Sequence, residues 1–410
     1  MNRLAQPGLS PAWIVVAAGV SASLHVGKLP PAVGMLQEQL GVSLVQAGFL
    51  LSTVQVAGMV LGLAVGLMAD RWGLRRTLLI GLLLMAAASA MGAAATGFVW
   101  LLMTRVLEGL GFLLTVMPGP GLIRRSVPAH ELSARMGWWG SYMPLGSATA
   151  LMLGPWVLRA AGWQFWWLLL GVTSLLAALA VWRWVPADEV HVANADAASL
   201  AAKQHAWHAR LLQTVRSSGP WLVAVSFAVY SCQWIGLVGF LPTIYAQAGL
   251  SAQMAGLLTA LMAAANVLGN VASGRLLQSG WSPKRSLQTG FVIMGLCGVL
   301  AFAQWNGESL LPLAGRFLAV VCFSAVGGLI PGTLFTAAVH LAPNTNTVST
   351  TVGFMQQLSC VGQFAGPPML AALASWAGGW QFSWAMMLAL CAVGWLLAVV
   401  VGQRWQASQR

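Results

Sequence analysis

Twelve apolar runs of about 18–25 residues recur along this 410-residue chain, at 13–34, 44–68, 76–96, 98–121, 137–158, 163–184, 219–245, 252–275, 286–304, 310–333, 350–373 and 380–401. At helical rise each run reaches across a hydrocarbon layer of about 30 Å. Inside such a layer the backbone must satisfy its own hydrogen bonds, so runs of this length predict spanning helices. A water-soluble alternative fails on composition: 58% of residues are hydrophobic and 7% charged, and the mean hydropathy is +0.78. That is too little charge to cover a soluble surface of this size. The chain reads as an all-α membrane protein. No small-residue cleavage site separates the first apolar run from the polar HVGKLPP, so the first span is expected to remain as a helix.

The one long polar stretch, 185–217, contains three of the eight acidic residues and divides six spans from six. The expected organisation is an N-terminal six-helix bundle (1–184), a cytoplasmic linker (185–217) and a C-terminal six-helix bundle (218–410). With the N-terminus placed in the cytoplasm, 16 of the 20 Lys and Arg residues fall in cytoplasmic loops, the linker or the tails. That bias orients multi-pass proteins and puts both termini inside. It also accounts for the net charge of +12, leaving no basic patch for nucleic acid. The expected setting is a bacterial inner membrane, with the chain acting as a monomer. Five scattered cysteines, all within spans and with no C-x-x-C pair, suggest neither a disulfide framework nor a metal cluster.

The two halves repeat. GVSLVQAGFL (41–50) returns as GLSAQMAGLL (249–258), LP (29–30) as LP (241–242), Arg105 as Arg316, Gly154-Pro155 as Gly366-Pro367, and GWQFWW (162–167) as GWQFSW (379–384). Six spans is an even number, so the second half enters the membrane from the same side as the first, a parallel repeat of the kind seen in secondary transporters. The two tryptophan strings each follow the far end of an odd-numbered span, which suggests interfacial anchors rather than a binding box.

On these features the chain resembles the major facilitator superfamily. The residues that carry the resemblance are GLMADRWGLRR (66–76), a G-x-x-x-D-R-x-G-R-R-type loop between spans 2 and 3, and RVLEGLG (105–111) in span 4. LPPAVGMLQEQLGVS at the end of span 1 and VGFLPTIYAQAGLS at the end of span 7 are further similar to the cyanate and nitroimidazole permease branch. Many permeases of that branch carry an Arg in span 1, where this chain offers His25 and Lys28. The resemblance implies a cytoplasmic gate latch made of Gly66, Asp70, Arg71, Gly73, Arg75 and Arg76, with Asp70 facing the start of span 11. It also implies that spans 1, 4, 7 and 10 line the cargo path. Gly58, Gly62 and Gly66 in span 2, and Gly362 and Gly366 in span 11, form small faces expected to meet at the interface between halves.

Ionisable side chains at membrane depth are costly and mark function. Here they are His25 and Lys28 in span 1, Arg105 and Glu108 in span 4, and Arg316 early in span 10. Arg105 and Glu108, at i and i+3, can pair on one helix face, which leaves cations in excess. A fork of arginine suits a carboxylate or a similar planar anion, so the expected cargo is a small organic or inorganic anion held by Lys28, His25, Arg105 and Arg316. Tyr230, Gln233, Trp234, Asn266, Gln356 and Gln357 are candidates for hydrogen bonds to it. Glu108 is the expected proton carrier, with His25 second; its alternative is a permanently ionised partner of Arg105. The competing reading is a proton-driven exporter of drugs or metabolites. No G-x-x-x-x-G-K-S/T loop, H-E-x-x-H or G-x-S-x-G occurs, so neither a nucleotide-driven pump nor a hydrolase is indicated and no cofactor is expected.

Overall fold

The computed structural model describes residues 10–128, 135, 138, 139, 141–188, 208–344 and 347–408, with the backbone alone at 63, 66–71, 349 and 408. Among them, ten helical stretches are long and apolar enough to cross a membrane. One of these, Tyr142–Trp184, is 43 residues long and contains Gly162 at φ 79°. A left-handed backbone cannot continue a helix, so this glycine divides spans 5 and 6. With Val348–Ala377, the helices number twelve.

Local chemistry sets the breaks. In span 1 the helix Pro11–Gly27 stops before Pro30-Pro31, passes through a 3₁₀ turn at Pro30–Ala32 and resumes at Val33–Leu40, because each proline lacks an amide donor. Span 2 opens at Leu44–Ser52 with a capping box between Ser43 and Gln46. It then tightens at Thr53–Gln55 and runs on through Val56–Trp72. Spans 3 and 4 are Leu74–Ala93 and Phe98–Val116, the latter followed by Gly119–Ser126. Spans 7, 8 and 9 are Ser218–Gln247, Ala252–Gln278 and Pro283–Phe302. Span 10 is Leu313–Gly327 with Leu329–His340, and span 12 is Ser383–Ser408. A two-stranded hairpin, β1 (Gln304–Trp305) and β2 (Glu308–Ser309), joins spans 9 and 10.

The halves meet where span 2 packs on span 11 and span 5 on span 8. Glycines set the approach: a Cβ on Gly48 would lie 3.0 Å from the backbone of Pro367, and one on Gly256 2.5 Å from the carbonyl of Leu151. Gln357 Nε2 donates to the Met59 carbonyl at 2.7 Å across the same seam. The expectation for the glycine faces holds for Gly58, whose added Cβ would strike Cys360, but not for Gly362 and Gly366. Those two sit against the carbonyls of Ala228 and Cys232 in span 7, so they close a contact within the C-terminal half. Spans 1 and 7 lie at the centre, mostly buried, whereas span 6 turns Leu176, Leu179 and Trp182 outward, as a lipid-facing helix does.

Helix ends carrying Arg75, Arg76, Arg124, Arg125, Arg275, Lys284, Arg285 and Arg404 all fall at one end of the bundle by chain connectivity, hereafter the basic end. The hairpin and both tryptophan strings lie at the opposite end.

Candidate functional site

One polar knot lies inside the N-terminal half, enclosed by spans 1, 3, 4 and 6. His25, Lys28, Arg105 and Glu108 are each fully buried there. A lysine ammonium has three donors and no acceptor. At Lys28 all three are used: Nζ donates to Glu108 Oε1, to Ser89 Oγ at 3.0 Å and to His25 Nδ1 at 3.4 Å. The Trp167 ring lies 4.5 Å from the same ammonium, as a cation–π floor. Ser89 is turned to accept because its own hydroxyl donates to the Trp167 carbonyl at 2.8 Å.

The other ring nitrogen of His25 faces the Leu170 carbonyl at 3.2 Å and Ser174 Oγ at 2.9 Å. A carbonyl can only accept, so the network assigns the proton to Nε2 and leaves Nδ1 to receive Lys28. On span 4, Arg105 Nη1 donates to Glu108 Oε2 at 2.6 Å and to the His25 carbonyl at 2.8 Å, and its Nε to the Leu50 carbonyl at 3.2 Å. Glu108 is therefore shared. The i, i+3 pair forms as expected, but the same carboxylate also holds Lys28, so Lys28 is not left unpaired. Arg105 Nη2, also buried, has no partner among the described residues. With His25 neutral, two cations face one carboxylate, and the knot carries one unit of positive charge in a low-dielectric interior.

The knot is not in the crevice between the halves. That crevice is nearly closed, with a cavity volume of about 10 Å³, and is lined by Val26, Gly27, Pro30, Leu51, Ser147 and Trp234 among others. Val26 and Gly27 face it while His25 and Lys28, on either side of them in sequence, turn into the N-terminal half. His25 and Lys28 thus form a shielded site one helix behind the crevice and do not line it directly.

A second, uncharged network lies in the C-terminal half. Asn266 Nδ2 donates to Tyr230 OH at 2.8 Å and to the Ser324 carbonyl at 2.9 Å. Trp234 Nε1 donates to Ser324 Oγ at 3.0 Å from a ring that borders the crevice. Gln233 points elsewhere, accepting from Cys391 Sγ of span 12 at 3.2 Å. Gln356 is exposed on span 11. Arg316 is not part of either network: its Nε donates to the Ala301 carbonyl at 2.8 Å and its Nη1 reaches Ser309 Oγ at 3.4 Å. It ties the hairpin to span 10, because three residues into that helix it is still beside the loop.

Of the latch residues, Gly66, Asp70 and Arg71 are described as helical backbone alone, and the side chains of Asp70 and Arg71 lie outside the described residues. Gly73 adopts φ 95°, the turn that starts span 3. The amides of Arg75 and Arg76 donate to Asp188 Oδ1 at 3.1 Å and Oδ2 at 3.0 Å, and the Arg75 guanidinium holds the Trp182 carbonyl. These contacts tie the loop to the end of span 6 and to the first residues of the linker. The N-cap residue of span 3 is Gly73, which has no side chain to offer, and Asp188 accepts from the first-turn amides in its stead, a role that the loop sequence alone does not disclose.

Sequence reasoning missed the tryptophans. Trp166 and Trp167 are buried rather than interfacial, and Trp166 Nε1 donates to the Lys28 carbonyl at 3.1 Å. The signal was present in the repeat. Aligning GKLPP (27–31) with GFLPT (239–243) puts Phe240 at the place of Lys28, and aligning RVLEG (105–109) with RFLAV (316–320) puts Ala319 at that of Glu108. Where GWQFWW becomes GWQFSW, Ser383 replaces Trp166. The second copy therefore lacks the charge, its acid and its tryptophan brace together. What both copies keep is a tether: Trp163 Nε1 donates to Gln39 at 2.9 Å and Trp380 Nε1 to Gln247 at 2.7 Å.

Among the described residues no group of His, Cys, Asp or Glu could hold a metal ion.

Comparison with known proteins agrees with this architecture. The chain is 26% identical over 389 residues to the cyanate transport protein CynX of Escherichia coli (strain K12), covering 94% of each chain. It is 25% identical over 366 residues to the 2-nitroimidazole transporter of the same organism, covering 86% of this chain and 84% of that one. In fold it is similar to the crystal structure of D-xylose-proton symporter, with a TM-score of 0.73 at 17% identity over 96% of both chains. The Major Facilitator Superfamily pattern matches residues 14–367. The chain accordingly belongs to the Major Facilitator Superfamily, with the cyanate and 2-nitroimidazole transporters among its relatives, and is a multi-pass membrane transporter of small molecules, not an enzyme.

Proposed function

We propose that the chain carries a small organic or inorganic anion by alternating access, with both termini and the basic end in the cytoplasm of a bacterial cell. The observation that carries this reading is the buried knot with two cations, one carboxylate and an unpartnered Arg105 Nη2. Uncompensated positive charge in a membrane interior is retained when it serves transport. An anion docking on Arg105 would find donors already aimed and already stripped of water, which is how a planar oxyanion is held tightly. The cyanate cargo named for one relative is of this class.

Glu108 supplies the coupling. While ionised it takes one of the three Lys28 donors and the Nη1 donor of Arg105. A proton on Glu108 frees both, and the cargo anion takes its place. The net charge of the knot is the same before and after, since one proton and one anion enter together. The knot then passes through the membrane cycle without a change in its electrostatic cost. Trp234, bonded to Ser324 and bordering the crevice, is where the C-terminal half meets the cargo as it crosses the crevice to or from the knot.

A transporter of uncharged heteroaromatic compounds is the second reading, favoured by the 2-nitroimidazole relative. Uptake into proteoliposomes separates the two. Under an inward proton gradient, cyanate or a small carboxylate should enter with an equal flux of protons, read with an internal pH dye. Uptake of 2-nitroimidazole with no anion uptake would favour the second reading.

A further inference from the structure

Beyond the transport site, a groove opens at the basic end between the first turns of span 7 and the last turns of span 12. Its lining is Ser218, Trp221, Leu222 and Val225 on one side and Leu397, Val400 and Arg404 on the other, around a volume of about 370 Å³. Trp221 is a fixed wall: its Nε1 donates to the Val215 carbonyl at 2.8 Å and its ring stacks edge-on against Phe354 at 4.8 Å. The floor is aliphatic, and only the mouth is charged.

Among the described residues the charge at the mouth has no partner from the protein. Arg404 is exposed and makes no ion pair or hydrogen bond among the described residues. Glu308 is the only carboxylate between residues 218 and 410, and it sits in β2 at the opposite end of the bundle. Arg216, two residues before the groove, is equally exposed. The start of span 7 adds amides without a side-chain cap, because Ser217 bonds the Gln213 carbonyl instead. Free amides at a helix start together with an arginine make a site for a phosphate, and an aliphatic channel running from it into the membrane suits an acyl chain.

We propose that this groove holds one anionic phospholipid, its phosphate between Arg404 and the first amides of span 7 and an acyl chain against Leu222, Val225, Leu397 and Val400. A basic pocket between helices at the cytoplasmic boundary selects anionic headgroups. The lipid would bridge the first and last helices of the C-terminal half.

The test is native mass spectrometry of the full chain released from nanodiscs that contain equal phosphatidylglycerol and phosphatidylcholine. The wild type should retain one phosphatidylglycerol in preference to phosphatidylcholine, and inorganic phosphate should not displace it. Arg404→Ala should lower that retention about fivefold, and Val400→Trp, which fills the groove, should abolish it. Arg275→Ala, an exposed cation on the same end but outside the groove, should retain it unchanged. Equal retention of both lipids by the wild type, an Arg404→Ala protein that keeps its phosphatidylglycerol, or loss of the lipid to inorganic phosphate would overturn the proposal.

Discussion

Trp166 holds Lys28 by its backbone: the indole N–H donates to the Lys28 carbonyl at 3.1 Å from the start of span 6. That carbonyl is exposed for capture because the helix of span 1 ends at Gly27, before the Pro30-Pro31 pair. The ammonium is thereby fixed over the next residue, Trp167. Trp166→Phe keeps most of the ring and loses the N–H, so it should cost about 1 kcal/mol of stability. Trp166→Ser, the residue at this place in the second half, opens a cavity and should cost about 3–5 kcal/mol. Thermal melting in detergent checks both.

Lys28 and Glu108 should behave unequally when removed. Lys28→Met leaves Arg105 and Glu108 as a balanced pair, whereas Glu108→Gln leaves two buried cations with no acid. Breaking a buried pair in that way costs about 3–5 kcal/mol. The Glu108→Gln protein should therefore melt well below Lys28→Met. Transport should fail in both, so stability and activity separate at Lys28.

Asp188 caps span 3 from 113 residues away in sequence. Asp188→Ala should destabilise the N-terminal half by about 0.5–2 kcal/mol. Hydrogen exchange should speed at the amides of Arg75 and Arg76 and change little in spans 7–12. Uniform loss of protection across both halves would contradict the cap.

Arg316 is placed against the Ala301 carbonyl and the hairpin, not in the charged knot. Arg316→Ala should leave cargo affinity within about twofold, while loosening the hairpin as seen by proteolysis between spans 9 and 10. A tenfold loss of affinity would restore it as a cargo ligand.

The fold was legible because a membrane imposes length on every element, and the repeats gave the count. The charged residues were legible for a related reason: so few occur at membrane depth that each stands out. Their partners were not. Ser89 and Ser174 look like ordinary small residues in apolar helices, and nothing in sequence spacing says that spans 3 and 6 close around span 1. Arg105 and Arg316 match in the repeat, yet only Arg105 keeps an acid one turn away, and that difference decides which of them is central. The tryptophan strings misled because Trp is commonest at membrane boundaries, whereas here Trp163, Trp166 and Trp167 lie inward against Gln39, Lys28 and Ser89.

The most direct test compares anion binding by purified wild type and Glu108→Gln across pH 5–8, using cyanate and small monocarboxylates with neutral and cationic compounds as controls. The wild type should bind anions more tightly as pH falls, with one proton taken up per anion. Glu108→Gln should bind them at least about tenfold tighter at pH 8, without pH dependence, since its site is already freed. Anion affinity that is equal in the two proteins at every pH, or binding of the cationic compounds alone, would contradict the account.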